Sequence, residues 1–176
     1  MGFYMNNEFL AFKGGASHLY LFNKLFKYLK VNSILEFGSG YTSTKMFPKY
    51  SNVFLSIESN KDFYELMGKG NKSIELISYP DDIEKVLNLI PLYDLVFVDS
   101  GPQESRIIYI QKALDADVKY IVFHDSEKKC YRYKLLNIPD EYCEYICKQG
   151  KWTTLLTKDT QLIDQLKGED NENTIC

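Results

Sequence analysis

Two glycines separated by one residue give the segment at 36–40 its chemical interest. Glycine at both positions allows a sharp turn and lets the backbone approach a bound molecule closely. The helix expected to begin near Thr42 and Ser43 offers backbone N–H groups without partners. Glu58 lies twenty residues beyond Gly38, and a carboxylate there can accept hydrogen bonds from both hydroxyl groups of a ribose. Together these features predict a nucleoside-binding site.

The residue types in this segment favour a nucleoside with a positive charge over a dinucleotide. The glycine-rich fingerprint of dinucleotide sites has a third glycine, and Ser43 occupies that position. Glu36 would repel a pyrophosphate, whereas it can attract an ammonium group. S-Adenosylmethionine is a nucleoside with such a charged tail. A NAD(P)-dependent oxidoreductase on a similar scaffold is the alternative.

A second group of reactive residues follows two apolar runs later in the chain. Asp99 ends one run, and the segment His124-Asp125-Ser126 follows the other. Histidine titrates near neutral pH, so His124 can remove a proton from a hydroxyl group. In a second interpretation, Asp99 and Asp125 resemble the two metal-binding acids of the catechol O-methyltransferases, with Ser126 in place of an asparagine, which implies a site for Mg²⁺ or Ca²⁺. In a third, Asp125 caps a helix and His124 satisfies a buried backbone group.

Alternating apolar runs and helical patterns must position these residues. The continuous apolar stretches at 93–99 and 118–123 are typical of strands buried on both faces of a parallel sheet. Strands are predicted at 33–37, 53–57, 74–77, 93–99, 118–123, 142–147 and 151–157. Helices are predicted at 16–30, 42–47, 61–67, 80–90, 103–114 and 128–136. We therefore expect an α/β fold: a doubly wound, seven-stranded, mostly parallel sheet with helices on both faces and an antiparallel C-terminal hairpin.

The expected fold itself indicates where a ligand binds. Ligands of doubly wound sheets lie beyond the carboxyl ends of the strands, where the strand order reverses. The residues at those ends are 36–43, Glu58, Ser78, Tyr79, 99–102 and 124–127. Every reactive residue named above belongs to this set.

With these motifs the sequence resembles the class I S-adenosylmethionine-dependent methyltransferases. The resemblance rests on Glu36-x-Gly38-x-Gly40, on Glu58, on the strand before Asp99 and on the closing hairpin, and it covers residues 33–158. It implies that the cofactor contacts the glycine turn through Glu36, Phe37, Gly38, Ser39, Gly40, Thr42 and Ser43. It assigns the remaining cofactor contacts to Glu58, Ser59, Ser78, Tyr79, Asp99 and Ser100.

The resemblance also indicates a reaction. The segment Asp99-Ser100-Gly101-Pro102 with Arg106 resembles a D-G-P turn of a sub-group in which some members methylate sugars, although Ser100 replaces the first glycine. It implies O-methylation of a small-molecule or carbohydrate hydroxyl. The implied catalytic residues are Asp99 near the methyl group, His124 as base and Asp125, which orients His124 or binds an ion. A methyltransferase fold that only binds ligands, without activity, is a further alternative.

The composition limits the domain organisation, partners and location that we expect. The 176 residues, 45% hydrophobic and 26% charged, suit one folded domain at 16–160 with an arm at 1–15 and a tail at 161–176. The net charge of −3 argues against a nucleic-acid partner, and no segment is apolar enough to span a membrane. Four cysteines without a paired motif indicate reduced thiols and a cytoplasmic location. Because the chain has no inserted substrate domain, a homodimer could complete the acceptor site.

Overall fold

Strands and helices alternate along most of the chain in the computed structural model, which describes residues 17–67 and 71–172. The strands are β1 (Ser33–Phe37), β2 (Val53–Glu58), β3 (Ile74–Leu76), β4 (Leu95–Val98), β5 (Tyr120–His124), β6 (Cys143–Cys147) and β7 (Thr153–Thr157). The helices are α1 (His18–Tyr28), α2 (Ser43–Met46), α3 (Lys61–Met67), α4 (Ile83–Leu87), α5 (Gln103–Asp115) and α6 (Thr160–Glu172). No helix within the described ranges is both long and apolar enough to cross a membrane. The arm expected at 1–15 lies outside those ranges.

The seven strands form one sheet with the order β3-β2-β1-β4-β5-β7-β6. The first five strands in the chain pair in parallel, and β7 runs antiparallel between β5 and β6. The chain moves outward from β1 through β2 and β3 and then returns to β4 on the other side of β1. The strand order therefore reverses between β1 and β4, and the predicted fold class is confirmed.

Burial on both faces explains why the central strands are continuously apolar. Every residue of β1, β4, β5 and β7 is buried. Successive side chains of a strand point to opposite faces, so Phe97 packs with Phe22 of α1 on one side, while Val96 and Val98 pack near Tyr109 of α5 on the other. Two apolar clusters thus hold helices against the two faces of the sheet.

The segment after residue 160 forms a helix, although the sequence analysis expected a tail there. The side chain of Asp159 accepts a hydrogen bond from the backbone N–H of Leu162 at 3.0 Å, which caps the start of α6. Leu162, Ile163 and Leu166 lie on one face of α6 and are buried in the cluster that includes α1. The cap and this spacing are visible in the sequence, but the acidic residues that follow obscured them.

Residues 128–136 form two short 3₁₀ turns, Lys129–Tyr131 and Tyr133–Leu135, instead of the single helix that was predicted. Arg132 separates the turns with a left-handed backbone, φ 55°. A left-handed residue cannot continue an α-helix. The segment instead folds back over the end of β5, where the hydroxyl of Tyr133 donates to the carbonyl oxygen of His124 at 3.2 Å.

Candidate functional site

The glycine turn after β1 packs directly against the end of β4. Gly38 has φ 89°, a conformation that favours glycine, and a Cβ atom there would lie 2.6 Å from the carbonyl oxygen of Asp99. The backbone N–H of Asp99 donates to the carbonyl of Phe37 at 2.8 Å. These constraints bring the predicted cofactor turn and the predicted catalytic strand end together at the point where the strand order reverses.

Glu58 fastens this turn to the end of β2. Its Oε2 accepts a hydrogen bond from the backbone N–H of Ser39 at 3.0 Å. Its Oε1 accepts two more, from Ser59 at 2.9 Å and from Asn60 at 2.8 Å. The carboxylate, 6% exposed, is therefore held in one orientation between two loops at the carboxyl edge of the sheet.

Glu36 lies beneath the glycine turn and is fully buried. Its Oε2 accepts hydrogen bonds from Thr44 at 2.6 Å and from Ser56 at 2.7 Å, while its Oε1 has no partner. Burial raises the pKa of Glu36 to about 7, although its hydroxyl contacts oppose the shift. One oxygen of this carboxyl group, which the sequence predicts to attract an ammonium group, has no hydrogen-bond partner below the turn.

The other residues predicted to contact the cofactor surround the same edge. Ser59 Oγ donates to the carbonyl of Gly101 at 2.8 Å and links the loops after β2 and β4. Ser100 is buried, and its hydroxyl lies 3.2 Å from that of Ser105. Ser78 is exposed and Tyr79 half-buried in the loop after β3. Ser43 is buried at the start of α2, and its hydroxyl is one of the groups that oppose the rise of the Glu36 pKa.

Asp99 is the centre of a buried polar cluster. Arg106 of α5 donates to its Oδ1 at 2.8 Å, and Nδ1 of His124 lies 3.2 Å from its Oδ2. Burial alone would raise the pKa of Asp99, but His124 and Arg106 more than offset this effect, so the pKa lies below its usual value. The side chain of Asp99 is 23% exposed, so solvent reaches the cluster through it.

The structure confirms that His124 reaches Asp99, but Ser17 is an additional neighbour. The hydroxyl of Ser17 lies 2.8 Å from His124 Nε2. Both ring nitrogens of His124 therefore have oxygen neighbours, and the residue is only 3% exposed. The backbone carbonyl of His124 accepts a hydrogen bond from Arg106 at 3.1 Å, which fixes the end of β5 against α5.

His18 of α1 also belongs to this cluster, and the sequence analysis missed it. Its Nδ1 lies 4.0 Å from Oδ2 of Asp99, and its Nε2 lies 3.3 Å from the hydroxyl of Thr42. Burial lowers the pKa of His18 to about 4, against the opposing charge of Asp99. The one available signal was composition, because His18 and His124 are the two histidines of the chain.

Asp125 has a different environment from the one that the catalytic and magnesium interpretations require. Its Oδ2 accepts a hydrogen bond from Lys128 at 2.6 Å, and the ammonium group of Lys151 lies 3.7 Å from its Oδ1. Burial would raise the pKa of Asp125, but Lys128 and other neighbouring charges hold it below its usual value. Two lysines therefore already balance this carboxylate, and Ser126 Oγ has no partner.

A cavity of about 320 Å³ opens beside the end of β5. Its lining is mostly cationic and consists of Ser126, Glu127, Lys128, Lys129, Arg132, Tyr133 and Lys134. Because Ser126 follows the catalytic candidates His124 and Asp125 in the chain, this cavity adjoins the site.

Comparison with solved structures supports the fold assignment. A methyltransferase from Podospora anserina bound to S-adenosylhomocysteine is 14% identical, with a TM-score of 0.52 over 80% of this chain and 76% of that one. An rRNA methylase from Streptococcus thermophilus is 16% identical, with a TM-score of 0.52 over 81% of this chain and 96% of that one. A spermidine synthase in complex with a transition-state analogue is 13% identical, with a TM-score of 0.56 over 87% of this chain and 63% of that one.

The sequence itself matches no family model and no curated protein. At the identities above, the structural likeness defines the fold alone. The chain has the Rossmann-like fold of the class I methyltransferases.

Proposed function

We propose that this protein is an S-adenosylmethionine-dependent methyltransferase. The observation that carries the proposal is the meeting of the glycine turn, Glu58 and Asp99 at the point where the strand order reverses. Doubly wound folds bind their ligands at this point. A solved structure with a similar fold, the Podospora anserina methyltransferase, contains S-adenosylhomocysteine.

The residues at this edge fit such a cofactor. Oε2 of Glu58 accepts one backbone hydrogen bond, and a carboxylate oxygen has two acceptor positions, so one is left for a ribose hydroxyl. Oε1 of Glu36, unpartnered below the turn, can accept a hydrogen bond from a bound amino group through water. Ser59, Ser78 and Tyr79 follow the neighbouring strands and would contact the base. When bound, S-adenosylmethionine supplies a methyl group on a positively charged sulfur.

The proposed acceptor is a hydroxyl group of a small molecule or carbohydrate. The hydroxyl of Ser17, 2.8 Å from His124 Nε2, marks the position that an acceptor hydroxyl would take if Ser17 moved aside. His124 would receive the acceptor's proton as the oxygen–methyl bond forms and the sulfur–methyl bond breaks. Asp99, 3.2 Å from the other ring nitrogen, would orient the ring and stabilise the positive charge. For Asp125, expected from the sequence to orient His124 or bind an ion, we propose a different role: it holds the loop after β5 through Lys128.

Titration calorimetry on the full chain tests cofactor choice. We expect S-adenosylhomocysteine to bind in the presence of EDTA and NADH not to bind. Glu58→Ala should weaken S-adenosylhomocysteine, while Glu127→Gln, at an exposed residue of the neighbouring cavity, serves as the matched control. Binding of NADH alone would replace the proposal with a nicotinamide-dependent oxidoreductase.

Transfer of a labelled methyl group tests activity. The labelled cofactor is offered to panels of hydroxylated small molecules and carbohydrates, and label in any acceptor supports the proposal. Binding of S-adenosylhomocysteine without transfer to any acceptor class would favour a methyltransferase fold used only for binding.

A further inference from the structure

Three side chains from distant parts of the sequence bring their ligand atoms together beside the proposed methyl-transfer site. His18 begins α1, Asp99 follows β4 and His124 ends β5. One potential ligand atom from each, two imidazole nitrogens and one carboxylate oxygen, lie within 4.8 Å of one another. Both histidines are nearly inaccessible to solvent, at 2% and 3% exposure.

We propose that His18, Asp99 and His124 form a binding site for a divalent transition-metal ion such as Zn²⁺. Two imidazoles and one carboxylate are a donor set that suits Zn²⁺ and its transition-metal neighbours better than Mg²⁺, which prefers oxygen ligands alone. Three protein ligands would leave at least one coordination position for water or substrate.

The distances are close to those that coordination requires. Ligand atoms about 2.0–2.1 Å from a tetrahedral ion are about 3.3 Å apart. Nδ1 of His124 and Oδ2 of Asp99 are already separated by 3.2 Å. Nδ1 of His18 lies 4.0 Å from the same oxygen, and all three ligand atoms lie within 4.8 Å of one another, so the His18 ring must move closer to complete the set.

The outer hydrogen bonds are compatible with coordination through Nδ1 on both rings. Nε2 of His124 faces the hydroxyl of Ser17, and Nε2 of His18 faces the hydroxyl of Thr42. A metal-bound histidine donates its remaining N–H to an oxygen in the same way. With Nε2–H directed at a hydroxyl oxygen, each Nδ1 lone pair points to the side of Asp99.

His18 provides an independent observation in favour of a ligand. Its Nδ1 is buried without a hydrogen-bond partner. A buried polar atom without a partner destabilises the folded protein. A metal ion between His18 and Asp99 would give this nitrogen a partner.

Arg106 determines which oxygen of Asp99 is left for the metal ion and which further ligand the ion can take. It occupies Oδ1 of Asp99 at 2.8 Å and leaves Oδ2 for the ion. The guanidinium group already balances the charge of Asp99, so a divalent ion would add two uncompensated positive charges in a buried site. We therefore expect the open coordination position to take an anionic ligand such as hydroxide.

This site differs from the oxygen-only site that the sequence suggested. That interpretation used Asp99 with Asp125 and Ser126, but the carboxylate of Asp125 faces Lys128 and Lys151. Ammonium groups at that carboxylate compete with any cation. The histidine pair has no such competitor at its Nδ1 atoms other than Asp99 itself.

Cobalt titration of the full chain tests the site, because the visible absorption of Co²⁺ reports its ligands. We expect one ion per chain with nitrogen and oxygen ligands. His18→Phe, which keeps an aromatic ring beside Phe22 and Phe97, should lower the affinity ~100-fold or more. Ser17→Ala should lower it about 10-fold. Asp164→Asn, at an exposed residue of α6, is the control and should bind Co²⁺ like the natural sequence.

A second measurement needs no substitution. The chain has two histidines, so histidine labelled with ¹⁵N gives signals from the proposed ligands alone. Added Zn²⁺ should shift both Nδ1 resonances and leave both Nε2 atoms protonated. The proposal is overturned if neither ring responds, if His18→Phe binds Co²⁺ unchanged, or if a thiolate-to-cobalt band assigns the ion to the cysteines. The calorimetry with S-adenosylhomocysteine is run in EDTA, so its outcome is independent of this result.

Discussion

At the scale of single residues, the site depends on polar atoms that are buried but incompletely satisfied. Oε1 of Glu36 and Nδ1 of His18 both lack partners. Buried polar groups in folded proteins are nearly always hydrogen-bonded, and exceptions concentrate at functional positions. Both atoms lie near the edge where β1 and β4 end, which is where we propose that ligands bind.

Replacement of His124 should lower the rate of methyl transfer without weakening the cofactor. Loss of a general base typically lowers a rate ~10²–10⁴-fold. His124→Ala is expected to show this decrease in a single-turnover assay with labelled cofactor. S-Adenosylhomocysteine affinity, measured on the same preparation, should stay within about twofold, and thermal unfolding reports whether the variant is folded. An unchanged rate in a folded variant would reject His124 as the base.

Glu36 should make the folded state less stable as pH rises. Its pKa is raised from 4.5 to about 7 in the folded protein, so the folded state holds a proton that the unfolded chain releases. The stability it contributes is fully present below pH 4.5 and is lost as pH rises to about 7. The expected loss is about 3 kcal/mol. Urea unfolding of the natural sequence and of Glu36→Gln checks this, since the glutamine variant lacks the titration.

If the free energies of unfolding of the two proteins change in parallel between pH 4.5 and 7, the carboxyl group of Glu36 is not the cause of the pH dependence. Glutamine keeps the acceptor oxygen for Thr44 and Ser56, so the comparison isolates charge. The natural sequence should be the less stable of the two above pH 7.

At the scale of elements, four strands bring polar groups to the carboxyl edge of the sheet. β1 leads to the glycine turn, β2 ends in Glu58, β4 leads to Asp99 and β5 ends in His124. α1 crosses one face and places His18 among them. The short strands leave little freedom at this edge, because β1, β4 and β5 are buried throughout and β2 is buried over its last three residues.

Helix α6 gives a prediction at this scale. A Cβ atom added at Gly168 meets no atom within 4 Å, and alanine favours a helix interior over glycine by about 1 kcal/mol. Gly168→Ala should therefore raise the free energy of unfolding by about 0.5–1 kcal/mol. Leu166→Ala, at a fully buried residue of the same helix, should lower it by about 2–5 kcal/mol. Chemical unfolding curves for both variants check this, and an unfolding energy insensitive to both would mean that α6 does not fold with the domain.

At the scale of the whole molecule, the proposed base and the proposed metal site use the same histidine. A base at Nε2 of His124 requires its proton on Nδ1, next to Asp99. A metal ion on Nδ1 requires the proton on Nε2, next to Ser17. The two states exclude each other, so metal binding would regulate methyl transfer.

Zinc should therefore inhibit transfer. One equivalent of Zn²⁺ is expected to lower the rate towards that of His124→Ala, and EDTA should restore it. Initial rates at several zinc concentrations give the concentration for half inhibition. This concentration should agree with the affinity of the full chain for Zn²⁺, measured by titration calorimetry without EDTA. Loss of activity in EDTA with recovery in Mg²⁺ would contradict this and support oxygen ligands from Asp99 and Asp125 instead.

Local patterns in the sequence determined the fold class and the glycine turn. The apolar runs at 93–99 and 118–123 predict buried parallel strands because burial on both faces demands continuous apolar residues. Gly38 and Glu58 were predictable because Gly38 follows one strand and Glu58 ends another, and the carboxyl ends of parallel strands share one edge. These properties depend on spacing within a few residues and on general topology.

The tertiary structure alone decided which distant side chains meet. His18 stands in an amphipathic helix with no local sign of function, and only the packing of α1 on the sheet brings it within 4.0 Å of Asp99. Asp125 follows His124 directly, yet a left-handed backbone, φ 58°, and two lysines give it a different environment. Neighbours in sequence can point apart and distant residues can converge, because side-chain direction is set by backbone conformation and by packing.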